Sequence, residues 1–180
     1  MQPTNSTPAE RRWRRDRWDE PGTIYFYRGD SGPYREFSCF FVHAFPMASW
    51  ARPAEILLWP SGEHPFHAAK DPTDATERRI LACATPLDAK RLGGRLPLRG
   101  DWDIARTHVM LTVQRAKFAV PGLGELLLST GDRLIAEDSP RDFVWGCRDA
   151  NGGYTGRNYL GRALMRVRDE LRATDAGSRS

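Results

Sequence analysis

A chain of 180 residues, 40% hydrophobic and 28% charged, is sized for one domain with a sizeable core and is excluded from the disordered class. No apolar run approaches the roughly 20 residues that span a bilayer, and Met1 to Arg17 contains no apolar stretch of signal-peptide length. Three cysteines at wide, irregular spacing, Cys39, Cys83 and Cys147, make neither a disulfide framework nor a zinc knuckle, so a reducing, cytoplasmic setting is expected. The formal charge of +4 fits either a solvated Arg-rich surface or attraction to phosphate.

Residues 1–22 read as a charged tail, with Trp13 and Trp18 set among arginines and acids. It is expected as a solvated, partly ordered extension, or as a segment that packs on the domain or meets nucleic acid by stacking and charge. The domain follows over residues 23–172, and 173–180 read as a frayed end. Ile24 to Tyr27 and Phe37 to Phe45 are β-prone runs around the turn cluster Gly29-Asp-Ser-Gly-Pro33, and Leu57 to Trp59 suggests a third strand. Helices are expected from Ser61 to about Lys70, from Asp74 to Ala84, and from Thr85-Pro86 to Gly93. Further helices are expected from an Asp101 cap through Phe118, over Gly122 to Thr130, and over Leu160 to Arg172. Arg133 to Ala136 is short and β-like. The pattern predicts an α+β fold, a mostly helical single domain with a small early β-sheet.

Three clusters can carry chemistry. In Ser61-Gly-Glu63-His64-Pro-Phe-His67-Ala-Ala-Lys70, a helix places Glu63, His67 and Lys70 on one stripe, an acid, an imidazole and an amine suited to acid–base and nucleophilic work. A capped surface helix with a salt bridge is the plain alternative. The spacing of Glu63, His64 and His67 is not that of His-Glu-x-x-His, so no metal is expected, and no cofactor. The second cluster runs from Trp145-Gly146 to Asn158 and is rich in glycine. Its amides and the following helix terminus can hold phosphate, or Asn158 can act as a plain cap. In the third, Asp132, Asp142 and Trp145 offer carboxylates beside a ring able to stack on a base or ribose.

Together these segments resemble the NADAR (YbiA-like) family over about residues 24–172. The resemblance is carried by Ile24 to Tyr27 and Ser38-Cys39-Phe40. It continues through Trp59-Pro-Ser61-Gly-Glu63-His64-Pro-Phe-His67-Ala68-Ala-Lys70-Asp71, Pro86 to Gly93, and Asp101-Trp102-Asp103 with Met110 and Ala116-Lys117-Phe118. Thr130-Gly131-Asp132, Asp142-Phe-Val-Trp145-Gly146 and Asn158-Tyr-Leu-Gly161 complete it. Cys39 stands for the usual Asn, Pro65 for Tyr, His67 for Gln and Asp71 for Phe.

The resemblance implies a YbiA-like fold and an N-glycosidase acting on riboflavin-pathway ribosylamine phosphates or on ADP-ribosyl-guanine in DNA or RNA. It further implies Lys70 as the nucleophile that forms a Schiff base, Glu63 as the proton shuttle, and Ser38, Phe40, His64, His67, Trp102, Asp132, Asp142, Trp145, Gly146 and Asn158 around the substrate. An amine must be neutral to attack, and burial near other cations favours that form. A module that binds ADP-ribose without cleaving it is the alternative function, and a DNA-binding protein acting through its basic tail is a third.

Overall fold

The computed structural model describes residues 17–29 and 31–177. Trp13, half of the aromatic pair noted in the tail, lies outside them. Chain order is β1 (Ile24–Phe26), a 3-10 turn (Arg35–Phe37), β2 (Val42–Ala48), β3 (Ile56–Ser61), α1 (Glu63–Ala68), α2 (Asp74–Leu81), α3 (Pro86–Gly93), α4 (Trp102–Phe118), α5 (Pro121–Ser129), β4 (Ile135–Glu137) and α6 (Tyr159–Gly177). The α+β class holds. The sheet, however, is two separate pairs of strands: β2 with β3, antiparallel, and β1 with β4, parallel. The second pair joins the start of the domain to its last third, so the sheet is not wholly early.

Strand formation follows side-chain alternation where one face is covered. In β2 and β3, Phe45, Met47 and Trp59 point into the core, while Val42, Ile56 and Leu58 face outward. The run Phe37 to Phe45, expected as one strand, is broken instead. Tyr34 takes a left-handed conformation, and the 3-10 turn after it drives Phe37 into the core against the rings of Phe26 and Phe118. Aromatic content there reflects anchoring rather than strand pairing.

The helix boundaries follow their caps. Thr73 and Thr85 accept the amides of Thr76 and Asp88, and Pro86 sits in the first turn of α3. Asp101 precedes α4 but makes no side-chain cap; its carboxylate pairs with Arg99 instead. Ser61, expected to open a helix, closes β3, and the chain passes through Gly62 straight into α1. Pro65 is tolerated because it lies in the first turn, where its missing N–H has no partner to lose. The last helix runs to Gly177, past the expected end at Arg172.

At Trp18 the tail packs on the domain, one of the alternatives to a solvated extension. Trp18 is 0% exposed. Its Nε1–H donates to Gly156 O at 2.8 Å, its backbone N–H donates to Tyr154 O at 3.0 Å, and the Arg162 guanidinium lies 5.0 Å over its ring. An indole with its N–H satisfied and its faces covered gains more from burial than from solvent. Among the described residues no helix is long and apolar enough to cross a membrane.

Candidate active site

The hand-off from β3 to α1 buries every side chain of α1, an uncommon fate for a helix carrying Glu63, His64 and His67. Burial of polar groups is tolerated only when each finds a partner or a ligand. His64 finds protein partners on both sides. Its Nε2–H donates to Cys83 O at 3.2 Å, which leaves Nδ1 to accept from the Ser61 hydroxyl at 2.8 Å. Burial pushes its pKa down, in keeping with a neutral ring. Glu63 and His67 turn the other way. The His67 Nε2–H donates to Glu63 Oε2 at 3.1 Å, and His67 Nδ1 is buried without a hydrogen-bond partner among the described residues.

These two, with Phe66 and Lys70, form one wall of a cavity of about 250 Å³. Lys70 is half-buried. Its Nζ donates to Gly93 O at 3.1 Å and stands 5.8 Å from the Trp102 ring centre. Burial lowers its pKa and nearby Lys90 lowers it further, while Glu63 pulls the other way. Gly93 is fixed by this packing, because a Cβ there would come within 2.4 Å of the His67 ring.

Helix α4 supplies Trp102, Arg106 and Met110 to the opposite wall, and α3 supplies Lys90. Phe66 lies edge-on to Trp145 at 5.2 Å and tilted against Trp102 at 5.4 Å, so three rings line the apolar side. Lys90 Nζ sits 5.3 Å over the Phe40 ring. The third wall is β4 and the loop after it, with Glu137, Asp142 and Trp145. Asp142 Oδ1 accepts the amides of Val144 and Trp145 at 3.0 and 2.9 Å, which aims the indole inward. Burial first, then Asp142 and Glu63, push the Glu137 carboxyl up to about 8, with Lys90 opposing.

Seven of the expected residues thus share the cavity: Glu63, Lys70, Phe40, His67, Trp102, Asp142 and Trp145. Five do not line it. His64 is held as described. Ser38 is buried with its carbonyl accepting from Lys117 Nζ at 2.7 Å and its hydroxyl accepting the Phe40 amide. Gly146 lies behind Trp145, packed against Asp142 O. Asn158, at φ 49, clamps β4: its Oδ1 accepts the Glu137 amide at 3.1 Å and its Nδ2–H donates to Ile135 O at 2.9 Å. Asp132 is on the surface, paired with Arg172.

Sequence reasoning missed Glu137, Lys90 and Arg106. Glu137 sits one residue beyond the expected β-like run, where period-2 alternation from Ile135 would have pointed it to the same side. Arg106 is one helical turn from Trp102, a spacing that shares a face.

Similarity to known proteins gives the family. The chain matches the NADAR domain over residues 25–172 and belongs to that family. It is 37% identical over 156 residues to an N-glycosidase of Nostoc punctiforme, covering 83% of this chain and 93% of that protein. It is 33% identical over 153 residues to N-glycosidase YbiA of Escherichia coli, covering 83% and 89%. A riboflavin biosynthesis protein of Vibrio vulnificus is 35% identical over 151 residues, which is 82% of this chain but 38% of that longer protein. The NMR structure of Escherichia coli YbiA superposes with a TM-score of 0.71 at 29% identity, covering 94% of this chain and 96% of the other.

Proposed function

We propose that the protein is an N-glycosidase that hydrolyses the C–N bond between the anomeric carbon of a phosphorylated ribosyl group and a base or amine, with Lys70 as nucleophile. The observation that carries this reading is the meeting of the half-buried Lys70 amine and the buried Glu63 carboxylate in one aromatic-walled cavity. The reaction class is that named for the relatives in Nostoc punctiforme and Escherichia coli.

The chemistry follows from the side chains. A ring-opened glycosylamine presents its anomeric carbon as an imine. The Lys70 nitrogen adds to that carbon, having passed a proton to the Glu63–His67 pair. The C–N bond to the departing base then breaks with its electron pair on nitrogen, leaving the sugar as a Schiff base on Lys70. Water adds to that carbon and releases the sugar aldehyde and the free amine. Burial favours the neutral, attacking form of Lys70. The cavity of about 250 Å³ falls just below the roughly 300–1,000 Å³ of small-ligand pockets, so it takes the sugar end of a nucleotide rather than all of it. Lys90 and Arg106 on its walls suit a phosphate oxygen.

Two substrates meet this description: a riboflavin-pathway ribosylamine phosphate, in line with the name of the Vibrio vulnificus relative, and ADP-ribosyl-guanine in nucleic acid. Incubation with each, and identification of products by mass, tests the reading. Release of free base from either supports it, and the substrate cleaved names the class. Lys70→Ala is expected to abolish turnover, and Glu63→Gln to lower it by about 10²–10⁴. Borohydride added during turnover should leave a sugar adduct on Lys70. Tight binding of ADP-ribose with no product from any glycoside would favour a binding module instead.

A further inference from the structure

Glu63, Asp142 and Glu137 bring three carboxyl groups to one small cavity, and their surroundings differ. Glu63 accepts an imidazole N–H from His67. Asp142 accepts two backbone N–H groups. Both carboxyl groups thus have donors supplied by the protein. Glu137 has no such support. Its Oε2 is buried without a hydrogen-bond partner among the described residues, although the residue as a whole keeps some exposure.

Its backbone is nonetheless among the most firmly fixed in the site. The Glu137 amide is held by Asn158 Oδ1, its carbonyl accepts the Cys147 amide at 2.7 Å, and Glu137 sits opposite Phe26 in the β1–β4 pair. Gly161 lets the last helix press close enough for this, since a Cβ there would come within 2.2 Å of Ile135 O. A carboxyl group held this firmly, without a donor, and open to a substrate cavity is arranged to give a proton rather than to carry charge.

We propose that Glu137 is a further catalytic residue, the acid that protonates the departing nitrogen from the β4 wall of the cavity that Lys70 also lines. This rests on the N-glycosidase reading. As the C–N bond breaks, its electron pair moves to nitrogen and the Glu137 O–H proton follows, so the base leaves neutral and Glu137 becomes a carboxylate. The water that later hydrolyses the Schiff base gives its oxygen to the anomeric carbon and returns a proton to Glu137. Glu63 serves the other half of the reaction, taking the proton that Lys70 must lose. The charged and titratable groups around Glu137 are Asp142 on its own loop, Glu63, His67 and Lys70 from α1 and the residues after it, Lys90 from α3, Arg106 from α4, and the thiols of Cys39 and Cys147. The two negative neighbours hold its proton on, and Lys90 stands ready to balance the charge once the proton has left.

The test compares wild type with Glu137→Gln, which keeps shape but has no acidic proton, on the ribosylamine phosphate and the ADP-ribosyl-guanine substrate. On the substrate that wild type cleaves, kcat should fall by about 10²–10⁴ with KM little changed. The loss of activity near pH 8 expected of wild type on the alkaline side should vanish from what remains. A ¹³C-labelled Glu137 carboxyl, followed by NMR in the folded wild-type protein, should still be protonated at pH 7, a readout that stands even where the variant fails to fold. A Glu137→Gln variant within threefold of wild type, or a carboxyl already ionised at pH 6, overturns the proposal. Lys70→Ala inactive beside a fully active Glu137→Gln overturns this proposal alone. A wild type that cleaves neither substrate overturns the N-glycosidase reading along with it.

Discussion

The cavity and the glycine-rich loop that follows it are built from similar residue types and handle their polar groups in opposite ways. In the loop, Asp149 collects the amides of Asn151 and Gly153 at 2.8 and 2.9 Å and the Thr155 hydroxyl. The amides of Gly156, Arg157, Asn158, Tyr159 and Leu160 go to carbonyls between Phe143 and Cys147. The loop and the start of α6 therefore spend their donors on the protein itself, which removes the phosphate cradle that their glycine content suggests. In the cavity, Glu137 Oε2 and Arg106 Nε are buried without protein partners among the described residues. Satisfied polar groups make a clamp; unsatisfied ones, which each cost about 1–3 kcal/mol to bury, mark the place where a ligand completes the structure.

The comparison breaks most visibly at Trp18, which ties the loop to the body of the domain. Trp18→Ala should cost about 3–5 kcal/mol. At about 2–4 °C per kcal/mol for a chain of this size, thermal denaturation should show a Tm at least roughly 6 °C lower. A solvated tail would leave Tm unchanged.

Glu137→Gln should move stability the other way, and only above the acid range. Burial raises the folded-state pKa from 4.5 to about 8, so the native protein holds a proton that the unfolded chain has lost. Stability linked to this group is whole below about pH 4.5 and declines as pH rises towards 8. Each tenfold difference in proton affinity is worth about 1.4 kcal/mol. The variant, which has no proton to hold, should therefore melt several degrees above wild type at pH 8 and level with it near pH 4. Calorimetry across that range checks the sign, and a variant less stable than wild type at pH 8 would place Glu137 on the clamp side of the comparison.

Asp149→Ala should lower Tm by a smaller amount and leave KM for a phosphorylated substrate unchanged. A rise in KM would return the loop to the binding site. Asp132→Asn should change neither quantity beyond error, because the carboxylate is exposed and its pairing with Arg172 belongs to a class worth about 0–1 kcal/mol.

Much of this was legible in the residues. Glu63, His67 and Lys70 fall within one short segment, so local periodicity alone brings them together, and the Thr73 and Thr85 caps announce their helices. What stayed hidden depends on distant contacts. Glu137 enters the site only because β4 pairs with β1, and no local pattern carries a parallel pairing across so much chain. Trp18 sits among arginines and acids, a setting that reads as solvated until Gly156 is seen to receive its indole. Asn158 was expected at the substrate and instead braces Glu137, because a left-handed asparagine can bond two strand groups at once. Lys117 was noted as part of a motif. Its full burial, its hydrogen bond to Ser38 O, and a pKa lowered by burial to about 8 show it to be part of the core beside the Phe41 and Phe118 rings.

Gly93 has a meaning beyond packing. Its carbonyl receives the Lys70 ammonium and its bare Cα lies against the His67 ring. A single backbone position that need touch no substrate therefore sets both where the amine stands and which way the imidazole turns. Bulk added there would misalign the two groups in one stroke, so the site can be silenced from its scaffolding with every reacting side chain still in place.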